Sequence, residues 1–142
     1  MKIYTGSISL KTGKKFEILD ITEEVHKVIK ESGAERGLVN LWINHTTAAL
    51  AVNEHDPDLW EDLLSAMTRL VPVKADYRHN AKYGWSPREQ NAHAHILNSL
   101  IKPDLTIPLE SGKMKLGTWQ SILFIELDGP RSRSLHVQVI GE

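Results

Sequence analysis

The run from Trp119 to Gly129, WQSILFIELDG, is mostly apolar on both alternating faces. A strand with one wet face alternates apolar and polar residues, whereas one that is apolar throughout needs cover above and below. This run therefore predicts a central strand, and the rest of the chain has to supply its cover. At 142 residues the chain is the size of one domain, residues 1–142.

Upstream, KIYTGSISL alternates as a strand, KTGKK reads as a turn and FEIL as a second strand, which predicts a hairpin over residues 2–19. Asp20, with Glu23 three positions on, predicts a capped helix start, Val25, Val28 and Ile29 its buried stripe, and Gly33 its stop. GLVNLWIN and AALAVNE read as strands. Asp56 followed by Pro57 is a strong helix start, and Leu59, Trp60, Leu63, Leu64, Met67 and Leu70 recur at helical spacing up to Pro72. Residues 72–90 carry little periodicity, and so long an aperiodic stretch is often functional. Asn91 is placed to cap a further helix through Ile101. LTIPL, MKLG and SLHVQVIGE complete the strands, and GPRSR turns the chain. The sum is about three helices among roughly eight or nine strands, an α+β arrangement.

Net charge is −1, so no global field recruits nucleic acid or an anionic membrane. Basic and aromatic residues form no joint stripe, a further argument against nucleic-acid binding. With no cysteine, disulfides, thiolate metal sites and cysteine nucleophiles are excluded. The N-terminus has no long apolar leader and no run approaches the roughly 18 residues of a membrane span. The expectation is a cytoplasmic protein that does not engage membranes.

Polar residues gather at element ends: NHTT (Asn44–Thr47), NEHD (Asn53–Asp56), YRHN (Tyr77–Asn80) and NAHAH (Asn91–His95). His45, His79, His93 and His95, with Glu54, supply enough donors for a divalent metal, although no signature such as HExxH is present. The alternative is that these histidines hydrogen-bond to backbone or substrate without metal. Stepping back from Ile96, Leu97 and Leu100 by three or four residues lands on His93, so His93 is expected to face the core and His95 the side shared with Asn98 and Ser99. In LGTWQS, Gly117 permits close approach, Thr118 and Gln120 offer hydrogen bonds and Trp119 a stacking plate. Arg131 and Arg133 fall on one face of an extended segment and suit a phosphate, as does Arg78 in the aperiodic stretch; a solvated turn is the plainer reading.

The blocks NHTTAAL, VNE-x-DPD, YRHN, NAHAH, LTIPL, GK, LGTWQ and DGPR, ending in VIGE, together resemble the YjbQ-type family, whose members are often described as secondary thiamine-phosphate synthase enzymes. The resemblance runs over nearly the whole chain. It implies a single-domain, mostly antiparallel α+β β-sandwich that self-associates as a homotrimer, with a polar pocket near the subunit interfaces. It also implies a divalent metal, zinc, and a small phosphorylated ligand. From the resemblance and the residue patterns together, Glu54, Thr46 and Gln120 are assigned to catalysis. Thr47, Arg78, Asn91, Trp119, Arg131 and Arg133 are assigned to substrate, and His45, His79, His93 and His95 to metal. Metal-assisted transfer or hydrolysis is one expected function; a non-catalytic trimer that recognises a small ligand through its histidines is the other.

Overall fold

The computed structural model describes all residues, Met1–Glu142, in the order β1 (Lys2–Lys11), β2 (Glu17–Asp20), α1 (Thr22–Ser32), β3 (Arg36–Ile43), β4 (Ala48–Asn53), α2 (Pro57–Leu70), α3 (Arg78–Lys82), α4 (Ala92–Ile101), β5 (Asp104–Glu110), β6 (Lys113–Met114), β7 (Ser121–Glu126) and β8 (Ser132–Gly141). Two antiparallel sheets form, a five-stranded one in the order β1-β8-β3-β5-β6 and a three-stranded one in the order β2-β7-β4. The expected α+β sandwich is what the chain adopts.

β7 is central, as its two apolar faces predict. Ile122 and Phe124 face the larger sheet and pack with Val39, Leu41, Leu135 and Val137. Leu123 and Ile125 face the other way, onto Ala94 and Leu97 of α4 and the half-buried Trp60, Leu63 and Leu64 of α2. The molecule is thus layered as large sheet, small sheet, helices. Val25, Val28 and Ile29 of α1 join the core between the sheets. No helix is long and apolar enough to cross a membrane.

Several local expectations are corrected. Residues 2–19 are not a hairpin: β1 pairs along its whole length with β8, while β2 pairs with β7 in the other sheet. Strand pattern marks strands but carries no information about distant partners, and the β1–β8 pairing is long-range. Asp20 is not the cap of α1; Ile21 holds that position, and Asp20 accepts from the Thr22 amide and hydroxyl instead. Gly33 does end α1, in the left-handed conformation at φ 70°. Asp56 caps α2 by accepting from the amides of Asp58 and Leu59. The aperiodic stretch contains α3, whose five residues are too short to show a period.

Candidate functional site

The small sheet sorts the expected site residues into two groups. His45, Thr46 and Thr47 precede β4 at the end where β7 finishes, and Glu54 follows β4 at the end where β7 begins, beside Trp119 and Gln120. Ser121 to Glu126 spans about 17 Å at the usual strand rise. One chain therefore does not assemble all these residues around one ligand. At the Glu54 end, Gln120 is committed to its own turn, its side-chain oxygen accepting from the Gly117 amide, and Trp119 is 73% exposed. Glu54 is half-buried, and its carbonyl oxygen accepts from the Trp60 indole.

The other end carries the denser chemistry. α3 and α4 bring His79 and His95 together, with ring centroids 4.9 Å apart. Tyr83 flanks His79 at 5.3 Å. Asp128, on the turn after β7, accepts from Asn91 Nδ2 at 2.7 Å and from Arg131 at 2.9 Å. Beside them opens a cavity of about 710 Å³ whose wall includes Lys15, Lys74, Arg88 and Arg131, with Asp128 as its one carboxylate. Arg78, exposed at the start of α3, lines a neighbouring groove with Asn80 and Gln90. Sequence reasoning missed Lys15, Lys74, Arg88, Asn80 and Asp128. Asp128 and Asn80 stand inside quoted blocks, DGPR and YRHN; the three cations carry no positional signal.

Arg133 is turned inward. The residue is 4% exposed, and its guanidinium pairs with Glu126 and donates to the Thr47 hydroxyl and carbonyl. Both Arg133 and Thr47 are thus spent on one another in the interior rather than presented to a ligand. Burial alone would push the Glu126 carboxyl up. Hydrogen bonds from Arg133, Thr12 and the Asp128 amide, with the charge of Arg133, outweigh this and hold it below the ordinary carboxylate value.

His93 faces the core as its spacing from Leu97 predicts, whereas Ile96 and Leu100, expected in the same stripe, are exposed. His93 is 0% exposed, lies against Phe16 and has no hydrogen-bond partner on either ring nitrogen. His45 Nε2 accepts from the Ser134 amide at 3.2 Å. The four histidines are therefore divided: one sealed in the core, one bound to β8, two in contact. No group of three His, Cys, Asp or Glu side chains converges as a metal site. A zinc ion or another divalent metal needs such a set, so the donor set within one chain does not fit it. Thr46 is exposed at the edge of the histidine end, and Asn91 is buried behind Asp128 and makes no cap bond to α4.

Burial lowers the pKa of His45, His93 and His95 below their ordinary 6.5. Arg133 and Arg131 add to the effect at His45, Lys15 at His93, and His79 at His95. Above that ordinary value these groups are neutral whether the chain is folded or not. As pH falls through it, the unfolded chain takes up protons that the folded one resists, so stability is lost. Urea unfolding between pH 8 and 5.5 should show a midpoint that is level above the ordinary value and falls below it. A midpoint independent of pH over that range would contradict the buried, neutral placement.

An α+β sandwich with a histidine pair beside a cation-lined cleft is the class that fold and site define. The YjbQ family model, described as "UPF0047 protein YjbQ-like", matches residues 6–142. The chain belongs to this family. It is 40% identical over 142 residues to a UPF0047 protein of Methanothermobacter thermautotrophicus, covering 100% of this chain and 95% of that one. Its identity to UPF0047 protein YugU of Bacillus subtilis is 34% over 137 residues, covering 95% and 98%. A crystal structure of a protein of unknown function from Sulfolobus solfataricus superposes with TM-score 0.93 at 34% identity, covering 99% of each chain. One from Clostridium acetobutylicum, described as a member of the yjbq/upf0047 family, gives 0.86 at 41%, covering 94% and 98%.

Proposed function

We propose that the cleft beside His79 and His95 binds a small phosphorylated molecule and that the two histidines exchange protons with it during transfer or hydrolysis. The observation that carries this reading is the charge of the cleft wall: Lys15, Lys74, Arg88 and Arg131 face a cavity whose single carboxylate, Asp128, is already engaged by Arg131 and Asn91. Cations in excess of their internal partners favour a polyanion. The charges of Asp128 and Arg131 both bear on His95, which supports a proton-exchanging role for it at the margin of the cleft. The thiamine-phosphate synthase activity implied by the resemblance is one transfer of this kind. No step is assigned to a metal ion, because the donor set is incomplete in one chain.

Calorimetric titration with pyrophosphate tests the reading. Binding should weaken as salt rises, and Arg88→Gln or Lys74→Gln should each reduce affinity by roughly 3- to 10-fold, the effect of losing about one exposed charge contact. Pyrophosphate that does not bind, or that binds both variants as tightly as the native protein, would remove the basis for the proposal.

Self-association as a homotrimer belongs to the same proposal. The outer face of the large sheet supports it, because Ile3, Ile140, Leu38 and Pro108 lie abreast, and Thr5, Gln138, Asn40 and Thr106 form the next row without a charge. Trp42, 47% exposed, stands in the row beyond. Sedimentation equilibrium should give a trimer for the native protein and a smaller species for Leu38→Lys; a native monomer would refute it.

A further inference from the structure

We infer that Asn80 is a positioning residue that fixes neutral His79 in the tautomer protonated at Nδ1, leaving Nε2 bare as its proton acceptor. The inference deepens the proposed function, on which it rests only for what Nε2 then acts on. Asn80 is buried at 8% exposure, and its Oδ1 lies 3.0 Å from the Ala92 amide and 2.9 Å from His79 Nδ1.

The Ala92 amide decides which way the Asn80 amide faces. Ala92 opens α4, and the first amides of a helix have no partner within it. The Asn91 side chain makes no cap bond, so the buried Ala92 amide depends on Asn80. Turning the Asn80 side chain over would set its NH₂ against the Ala92 N–H, donor against donor, and leave a buried helix amide unsatisfied. The oxygen is therefore held toward Ala92. Since His79 Nδ1 meets that same oxygen, Nδ1 must donate and carries the proton. A neutral imidazole holds one N–H, so Nε2 keeps its lone pair.

The consequence is a shared atom. Asn80 Oδ1 both starts α4, which presents His95, and selects the protonation site of His79 on α3. Tyr83 and His95 hold the ring at 5.3 Å and 4.9 Å, so it has little freedom to escape the choice. A donor-fixed imidazole of this kind is ready to accept a proton without first exchanging tautomers.

Long-range proton–nitrogen NMR correlations of the uniformly ¹⁵N-labelled protein at pH 8 read each ring nitrogen of His79 directly. The native protein should show Nδ1 protonated and Nε2 bare. Asn80→Asp keeps an oxygen for both donors and should show the same pattern. Asn80→Ala should let the His79 tautomers mix, with the Nε2–H form rising to a substantial fraction, an effect that a purely structural helix cap would not produce. A native His79 protonated on Nε2 overturns the inference whether or not any variant folds, as does an Asn80→Ala protein with an unchanged tautomer. Titrating the native sample with pyrophosphate separates the two proposals. No response at Lys15, Arg88 and Arg131 beside an Nδ1-protonated His79 would defeat the phosphate reading while supporting the tautomer assignment.

Discussion

Glu126→Ala should destabilise the protein by roughly 3–5 kcal/mol, because it strands a guanidinium in the interior. The Glu126 side chain is 0% exposed and that of Arg133 3%, and the carboxylate also accepts from the Thr12 hydroxyl and from the amides of Leu127 and Asp128. Removing the carboxylate leaves the Asp128 amide without its acceptor and a full positive charge without a counter-charge, while the Leu127 amide keeps the Thr47 carbonyl and the Thr12 hydroxyl the Arg131 carbonyl. Arg133→Met should cost a similar amount from the other side. The double variant Glu126→Leu, Arg133→Met should recover much of the loss, since apolar replacement of a whole buried pair is often close to neutral. Urea denaturation of the three proteins gives the comparison. Single variants within about 1 kcal/mol of the native protein would mean that the pair is not buried as described.

His95→Ala should leave pyrophosphate affinity within about twofold and lower turnover by roughly 10²- to 10⁴-fold, the usual contribution of one general acid or base. The substrates to use are a pyrimidine pyrophosphate and a thiazole phosphate, whose condensation is the thiamine-phosphate synthase reaction that the family resemblance implies. His95 carries no counted charge on the cleft wall, so binding and turnover should separate. Loss of affinity in proportion to turnover would make His95 a binding group only. Pyrophosphate binding by a native protein that turns nothing over would favour the non-catalytic ligand-binding alternative.

What was legible in the sequence followed parity and phase. Two apolar faces placed β7 at the centre, and stepping back four residues from Leu97 sent His93 inward and left His95 half-buried, although Ile96 and Leu100 of the same expected stripe are 38% and 64% exposed. The buried pair was legible too, though it was read differently. Glu126 shares strand parity with Ile122 and Phe124, and Arg133 with Leu135, Val137 and Val139, so both point toward the core. Pairing Arg133 with Arg131 by local spacing overlooked that stronger pattern. Lys15, Lys74 and Arg88 come from three separate connecting segments, Arg88 from a single 3-10 turn, and meet only through the fold, so nothing local marks them. Asn80 was overshadowed by its neighbour, because a histidine suggests chemistry while an asparagine beside it suggests a turn.

The turn that carries Asp128 and Arg131 has a property loops seldom share. The Leu127 amide donates to the Thr47 carbonyl and the Asp128 amide to Glu126, while Gly129 donates to Lys15 and Arg131 to the Thr12 hydroxyl. Pro130 has no amide to donate. Every peptide donor from Leu127 to Arg131 is thus taken up inside the protein, leaving none for which water could compete. The part of the cleft rim that carries Asp128 and Arg131 is held in place before any ligand arrives, so an anion that docks on it does not have to bear the entropy of freezing that turn.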